Sequence, residues 1–472
     1  MQNISSLSTE AVLSILSYLN AADLATISKV SKKFQILADD EVLWHNLFEE
    51  NFPRLGNQAW DRGALADLSW KSKYRLRYNW SAGRCHTRRF DMMSGGDLVN
   101  WSSRQTETFK DKRTIVQSIG SRIFTASRKD GLRAWNFEGH LEAKFAEENP
   151  ERFEHYLRDD LDVYPFGLET RSMSFYKMSK DSDSIFIVRG MDLGPLELYS
   201  FSSSLLQFTY LTYQLPPNKN RSAVIETVCE PPFLVVLTDK PFVYVYSIED
   251  ISKENDMKLI TSLSSPPILG PTSLSIRKEN DTIDGEVVIA AIGYFQEGIG
   301  QTTQGPVLQE ICLSVKTRSI LQTRVAIHEQ PPRRNFQFSH ALRLMRPVST
   351  SRIIQIVHSH PFLISVHSDN TLTLYKITAS RHDLKISFGS RLWGHTTGVQ
   401  DVRISGYSRR AVSAAPDGTE LRIWDLDTDR GTSVQIARDP EFDDDACKIV
   451  GFDDRHVIVE RLNSIVIYDF MS

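Results

Sequence analysis

Three histidines in the segment HSHPFLISVH are the densest group of side chains in this sequence that could bind a metal ion. On a β-strand, His358 and His360 would point to the same face, where two imidazoles could act as ligands. His367 follows in the same segment, but no cysteine or carboxylate stands at a useful spacing to complete the ligand set. We therefore predict no metal site.

The other stretches that could do chemistry are incomplete. The glycine-rich segment GIGQTTQG, which begins at Gly298, lacks the Lys-Ser/Thr pair of a phosphate-binding loop. Neither a G-x-S-x-G nor an H-E-x-x-H motif occurs. The four cysteines lie far apart without a C-x-x-C pair. We predict that the chain has no catalytic residues and no cofactor, so that it is not an enzyme and acts by binding.

Composition narrows the class of partner. The 472 residues carry 55 basic and 59 acidic side chains, a net charge of −4, which gives no overall field to attract nucleic acid or an anionic membrane. The N-terminus lacks the pattern of a secretory signal, and no run of about 18 apolar residues could span a bilayer. We expect a cytoplasmic or nuclear protein that binds neither nucleic acid nor membrane.

The elements that would position a binding surface begin with short helices. Val12, Ile15, Leu16 and Leu19 fall on one face of a first helix, which Ser8 can cap. A second apolar stripe, from Leu24 through Ile27 and Val30, predicts a helix that continues to Phe34. A third helix, capped by Asp39 or Asp40, carries Leu43, Trp44, Leu47 and Phe48. Three helices in about 50 residues bury little surface, so such a module often depends on a partner.

These helices resemble an F-box over residues 4–48, with Leu7, AVLSILSYL, Asp23-Leu24, Val30, Phe34 and DDEVLW as the matching features. The sequence departs from the family at Ser8, Ser31 and Phe34, where proline, cysteine and tryptophan are usual. The resemblance implies an F-box domain at 1–53 that docks on the Skp-type adaptor of a cullin-RING (SCF-type) ubiquitin ligase. The implied adaptor-binding residues are Leu7, Ser8, Val12, Ile15, Leu16, Leu19, Leu24 and Val30.

Residues 54–90 are predicted to form a helical linker. The stretch LSWKSKYRLRYNWSAGR interleaves aromatic with basic residues, as in a helix that packs its rings and leaves its charges in water. The same mixture could bind single-stranded nucleic acid. Because no RNA-binding motif lies nearby, a rigid connecting helix is the preferred interpretation, and the stretch is similar to the linker of F-box proteins of the WD-repeat type.

The remaining body, 91–472, shows short strand patterns in repeats. Seven runs ending near a bulky residue recur every 44 to 67 residues, and their marker residues are Trp135, Tyr199, Tyr246, Leu313, Tyr375, Trp424 and Tyr468. WD-type repeats have periods of about 40 to 45 residues, so the longer spacings require insertions. We predict an α+β multidomain chain: a three-helix F-box, a linker helix and an all-β, WD-type propeller of seven blades, closed by a strand near Asp97 to Trp101.

One segment resembles a complete WD repeat, LWGHTTGVQDVRISGYSRRAVSAAPDGTELRIWDLDT. In such repeats a histidine, a serine, a turn aspartate and a tryptophan form a hydrogen-bonded chain. The corresponding residues here are His395, Ser413, Asp417 and Trp424. Glu420 stands as an extra residue between the turn and the strand.

The resemblance also implies a client-binding face, formed by the turns between second and third strands and by the links between blades. The candidate client-binding residues are Arg128, Lys129, Arg189, Lys240, Arg333, Arg334, His367 and Arg461, with the insertion from Gly293 to Pro306. A ring of arginines could bind a phosphorylated peptide, whereas acidic stretches such as DPEFDDD would favour a basic client. We expect a substrate receptor that holds an unknown client protein beside the ligase; the alternative is a propeller scaffold unrelated to ubiquitin.

Overall fold

The computed structural model shows an N-terminal group of helices followed by a ring of antiparallel sheets. It describes residues 7–52, 67–91, 114–127, 131–145, 169–177, 182–192, 195–214, 222–239, 242–248, 257–264, 270–281, 283, 285–295, 305–328, 352–405, 409–416, 418, 420–428, 430–435, 447–461 and 464–471.

The helices begin where the sequence supplies polar caps. They are α1 (Thr9–Leu16), α2 (Ala21–Ile27), α3 (Lys32–Ala38), α4 (Glu41–Asn51) and α5 (Trp70–Ala82). The side chain of Ser8 accepts a hydrogen bond from the Ala11 N–H, and that of Asn20 accepts from the Asp23 N–H. Such caps replace the acceptors that the first turn of a helix lacks. The helix predicted within the linker is α5.

The second predicted helix is in fact two, so residues 7–52 contain four helices instead of three. The helix that contains Leu24 ends at Ile27, and a new one begins at Lys32. Ser31 separates them: its backbone is extended, with φ −160° and ψ 165°, and its side chain accepts a hydrogen bond from the Phe34 N–H. A capping serine in extended conformation starts a helix and cannot continue the previous one.

In the part of the chain that the structure describes, seven four-stranded sheets form the body, here called blades 1 to 7 in chain order. Blades 1 to 3 comprise β2 (Ile115–Ile119), β3 (Arg122–Ser127), β4 (Gly131–Asn136), β5 (Leu141–Phe145); β6 (Thr170–Tyr176), β7 (Ser184–Met191), β8 (Leu196–Ser202), β9 (Gln207–Gln214); and β10 (Val224–Glu230), β11 (Phe233–Thr238), β12 (Phe242–Ser247), β13 (Lys258–Ser264). Blades 4 and 5 comprise β14 (Thr272–Asp281), β15 (Gly285–Phe295), β16 (Pro306–Ser314), β17 (Ser319–Ile327); and β18 (Ile353–Ser359), β19 (Phe362–His367), β20 (Leu372–Ala379), β21 (Leu384–Leu392). Blades 6 and 7 comprise β22 (Asp401–Ser405), β23 (Arg410–Ala414), β24 (Glu420–Asp425), β25 (Arg430–Gln435); and β26 (Cys447–Phe452), β27 (His456–Arg461), β28 (Ser464–Asp469) with β1 (His86–Asp91).

The blades close into a ring. The first strand of each of blades 1 to 6 contacts the first strand of the next blade. The first strand of blade 7, β26, contacts the first strand of blade 1, β2, and so completes the circle. All seven marker residues lie on the third strand of their blade and are buried. The predicted seven-bladed propeller is therefore confirmed, because one bulky side chain per blade fills the same place in each sheet.

The strand that completes blade 7 comes from an unexpected part of the chain. β1 pairs antiparallel with β28, from His86 opposite Asp469 to Asp91 opposite Ser464. The propeller therefore starts inside the stretch 54–90 that was predicted as linker, and the predicted closing strand at 97–101 lies outside the described residues. The sequence HTRRFD is rich in charge, which suits an edge strand but hides its strand pattern.

Candidate protein-binding surfaces

Several residues predicted to contact an adaptor form the core of the helical module. Val12, Leu16 and Leu24 are buried together with Trp44, whose indole Nε1 donates a 2.7 Å hydrogen bond to the Ala38 carbonyl. Leu7 and Leu19 pack against this core and are partly buried. These side chains hold the four helices together, and Ser8 caps the first of them.

The surface of the same module carries large apolar side chains, each between 49% and 88% exposed. They are Ile15, Tyr18, Val30, Ile36 and Val42. Two of the predicted contacts, Ile15 and Val30, belong to this set, which we call the exposed apolar set. Tyr18, Ile36 and Val42 were not among the predicted contacts. The sequence signal of their exposure is an apolar residue placed off the buried stripe of its helix. Exposed apolar groups on so small a module favour a partner, because covering them removes apolar area from water.

Helix α5 packs against the module through aromatic rings. The Trp44 and Tyr74 rings meet edge to face with centroids 5.5 Å apart, and Phe48 lies 5.4 Å from Trp70. The backbone N–H of Trp70 also donates to the Glu41 carboxylate at 2.8 Å. These contacts join α4 and α5 into one packed unit.

The other end of α5 is fixed to the propeller. Trp80 stacks on Phe470 with ring centroids 3.7 Å apart, and its Nε1 donates a 2.8 Å hydrogen bond to the Asp454 carbonyl. Arg77 Nη2 lies 2.5 Å from Asp425 Oδ2 in an ion pair that is mostly screened from solvent. One apolar cluster contains Phe48 and Trp80 together with core residues of blades 6 and 7. The helical module is thus held against the propeller by direct packing.

These contacts define the two faces of the ring. Asp454 lies in the turn between β26 and β27, and Phe470 directly follows β28. Because the strands of a blade alternate in direction, the first-to-second and third-to-fourth turns lie on this side, which we call the α5 face. The second-to-third turns and the links between blades lie on the other side, the opposite face. The predicted client-binding residues belong to the opposite face by chain position.

Three of the predicted client-binding side chains are buried within the propeller. Arg189 is fully buried; its Nη1 donates to Glu197 Oε2 at 3.0 Å. His367 Nε2 lies 2.9 Å from the hydroxyls of Ser365 and Thr373. These side chains, chosen from their position near a turn, are occupied by internal polar contacts and do not offer charge to a client.

The third buried candidate is Arg461, and the other candidates lie outside the described residues. Arg461 is buried and donates a 2.7 Å hydrogen bond to the Gly418 carbonyl. Five other predicted residues lie outside the described part of the chain: Arg128, Lys129, Lys240, Arg333 and Arg334. The same holds for residues 296–304 of the predicted insertion.

The hydrogen-bonded chain predicted for blade 6 is present in three of its members. Ser413 Oγ lies 2.6 Å from His395 Nε2 and accepts a 2.8 Å hydrogen bond from Trp424 Nε1. Asp417 lies outside the described residues, and Glu420 Oε2 approaches His395 Nδ1 at 3.3 Å. The extra residue noted in the sequence therefore brings a carboxylate to the histidine.

The histidine segment is part of the contact between blades 4 and 5. His358 is buried, and its Nδ1 lies 2.6 Å from Ser275 Oγ. Burial lowers the pKa of His358 to about 3, and it lowers the pKa of His360 as well, so both rings are neutral at physiological pH. Among the described residues no three His, Cys, Asp or Glu side chains are grouped to hold a metal ion, and none of the helices there has the length and hydropathy to cross a bilayer.

Comparison with known families decides the class of protein. A model of F-box-like domains matches residues 4–50, and the model of the F-box protein pof12 β-propeller matches residues 104–450. The second match covers most of the chain. The chain belongs to the pof12-type F-box proteins.

Relatives of this pof12-type protein extend over different shares of the chain. F-box protein pof12 of Schizosaccharomyces pombe is 20% identical over 420 residues, which cover 89% of this chain and 83% of that protein. The probable E3 ubiquitin ligase complex SCF subunit sconB of Arthroderma otae is 30% identical over 117 residues, only 18% of this chain and 17% of that protein. The crystal structure of the designed Ika8 protein matches with a TM-score of 0.42 and 13% identity over 75% of this chain and 82% of its own, a level that carries no functional argument.

Proposed function

We propose that this protein is a substrate-recognition subunit of an SCF-type ubiquitin ligase. Its helical module would dock on a Skp-type adaptor and through it on a cullin-RING ligase, while the propeller binds a client protein. The chain itself would catalyse no step. It would raise the effective concentration of the client beside the ubiquitin-conjugating enzyme, which accelerates transfer without new chemistry in the receptor.

One observation supports this proposal most strongly. The exposed apolar set lies on a module that is fixed to the propeller by α5, with Trp80 against Phe470 and Trp44 against Tyr74. A ligase receptor needs such an arrangement, because a fixed distance between its two partners places client lysines within reach of transfer. The relation to sconB, whose name is that of an SCF subunit, points to the same assembly.

The structure also guides the choice of variants. Substitution of a buried residue such as Leu16 or Leu24 would unfold the module and could not separate binding from folding. Val30→Asp and Ile36→Asp place charges at exposed positions and should leave the fold intact. Ile283→Asp is the matched control, because Ile283 is equally exposed, at 74%, but lies on the propeller.

The test compares cells that carry the wild-type chain with cells that carry the Val30→Asp, Ile36→Asp double variant. Proteins captured by both chains are identified by mass spectrometry, and their half-lives are measured by pulse labelling. We expect some captured proteins to live longer in cells with the double variant, and not in cells with Ile283→Asp. Unchanged half-lives of every captured protein would contradict the proposal.

A further inference from the structure

An exposed tryptophan stands on the opposite face of the propeller. Trp393 follows β21 in the link between blades 5 and 6 and is 63% exposed. Its neighbour Leu392 is buried in the core between these blades, so the alternating strand directs the indole outward. A large aromatic ring left in water at this place has no role in packing the ring of blades.

The link that carries Trp393 is held in one conformation. Arg422 Nη1 donates a 3.0 Å hydrogen bond to the Gly394 carbonyl, and the Thr396 N–H donates to Glu420 Oε2 at 3.4 Å. Between them, His395 is fixed by Ser413. An aromatic side chain on a fixed backbone loses little conformational freedom when a partner covers it, which favours tight binding.

A cation lies beside the indole. The guanidinium carbon of Arg391 is 5.7 Å from the centre of the Trp393 ring, and the Arg391 side chain is exposed. In the described part of the chain, Arg391 has no ion pair with a carboxylate. Arg391 and Trp393 therefore present a positive charge without a paired carboxylate beside an apolar surface.

We propose that Arg391 and Trp393 form a recognition site for a peptide segment in which an Asp or Glu side chain lies next to an apolar one. The proposal rests on the function proposed above and names the class of client segment. A guanidinium binds a carboxylate through two parallel hydrogen bonds, and tryptophan and arginine are the residue types that most often dominate protein interfaces. A phosphate group usually requires a cluster of arginines, so one arginine beside one indole favours a carboxylate.

The experiment uses the full chain and a phage-displayed library of random 12-residue peptides. Enriched peptides are synthesised with a fluorescent label, and their affinity is measured by anisotropy for the wild type and for Trp393→Ala, Arg391→Glu and Arg391→Lys. Phe388→Ser is the control, because Phe388 is an aromatic residue that is 56% exposed and lies on β21 with Arg391. Circular dichroism checks that each variant is folded.

We expect the enriched peptides to share an acidic residue next to an apolar one. Trp393→Ala and Arg391→Glu should each weaken their binding by about tenfold or more, Arg391→Lys by less, and Phe388→Ser not at all. Exchange of the acidic residue for its amide should weaken binding by a similar factor.

Three results would overturn the inference. They are peptides that bind all variants equally, a library that yields no peptide dependent on Trp393, and peptides that bind more tightly when the acidic residue is replaced by phosphoserine. Adaptor binding by the same preparation is measured in parallel. If peptides bind at Trp393 but the adaptor does not bind, the proposed ligase function fails while the peptide site remains.

Discussion

At the scale of single residues, the propeller contains an ion pair that is almost completely removed from water. The side chains of Arg189 and Glu197 are 1% and 3% exposed, and the Tyr199 hydroxyl donates a 2.8 Å hydrogen bond to the same carboxylate. Arg189 also donates to Thr170 Oγ1 at 2.8 Å. A buried pair of this kind adds little net stability, but the loss of one partner leaves an uncompensated charge in the core.

Replacing the carboxylate tests this description of blade 2. Glu197→Gln should lower the free energy of unfolding by about 3–5 kcal/mol, because buried Arg189 then loses the negative charge of Glu197. Urea denaturation followed by circular dichroism measures the change. The double variant Arg189→Met, Glu197→Leu removes both charges and should cost much less. An unchanged unfolding midpoint in Glu197→Gln would show that the ion pair is not buried as described.

Ser413 joins His395, in the link before blade 6, to Trp424 on β24, and its removal gives a second prediction. Ser413→Ala removes the hydroxyl that accepts a hydrogen bond from buried Trp424 Nε1 and contacts His395 Nε2, which should lower the free energy of unfolding by about 1–3 kcal/mol. The same substitution in a Trp424→Phe background should cost less, since the indole donor that Ser413 serves is then absent. Equal costs in both backgrounds would rule out the bond between Ser413 and Trp424.

The half-buried carboxyl group of Glu226, between the inner strands of blades 3 and 4, predicts a pH dependence. Glu226 Oε2 accepts a 2.8 Å hydrogen bond from the Leu274 N–H, and burial raises its pKa from 4.5 to about 7. Since the unfolded chain releases this proton at lower pH, the folded state loses stability through this group as pH rises from about 4.5 to about 7.

Glu226→Gln keeps an acceptor for Leu274 and cannot ionise. The variant should match the wild type in unfolding free energy at pH 4 and exceed it at pH 8. Denaturation at both values measures the difference. Exposed Glu50, replaced by Gln, serves as the control without a buried carboxyl. A difference between Glu226→Gln and the wild type that is the same at both pH values would contradict the raised pKa.

At the scale of elements, α5 determines how the helical module stands relative to the propeller. Its two ends contact different parts of the chain, Tyr74 on the module side and Trp80 on the propeller side. The sequence indicated a helix here from its aromatic and basic pattern. It could not indicate which rings face the propeller, because Phe452 and Phe470 lie almost 400 residues away along the chain.

Shortening Trp80 should release this helix. Trp80→Ala should cost about 3–5 kcal/mol and increase hydrogen exchange across Trp70–Ala82, since both the stacking on Phe470 and the bond to Asp454 are lost. Tyr78→Ala changes an exposed ring of the same helix and is the control. Exchange rates in α5 that stay the same in Trp80→Ala would show that the helix is held by other contacts.

At the scale of the whole molecule, the repeated blades were predictable from sequence. The strand that closes the ring of blades and the boundary between α2 and α3 were not. The marker residues revealed seven blades because each fills the same place in its sheet. Strand β1 was missed because its charged sequence resembles a linker, and its partner β28 lies at the other end of the chain. The split of the second helix depended on the backbone conformation at Ser31, which periodicity does not report.

For the candidate binding surfaces, the sequence predicted the element that carries each surface but not which side chains are exposed on it. The position of the helical module could be predicted, but the apolar stripe of an amphipathic helix marks the residues it buries, so Leu16 and Leu24 proved to be core. Arg189 shows the corresponding error on the propeller, because a charge near a turn can be paired internally. The exposure of Trp393 could be recognised only once the neighbouring strands were placed.

The most direct measurement is the calorimetric titration of the full chain with a purified Skp-type adaptor. We expect saturable one-to-one binding, lost in the Val30→Asp, Ile36→Asp double variant and unchanged in Ile283→Asp. The contradicting result is a folded wild-type chain that gives no binding heat, together with no retention of the adaptor by the immobilised wild type, double variant or Ile283→Asp chain. The ligase-receptor function would then be wrong. The propeller would then act as a scaffold for other proteins.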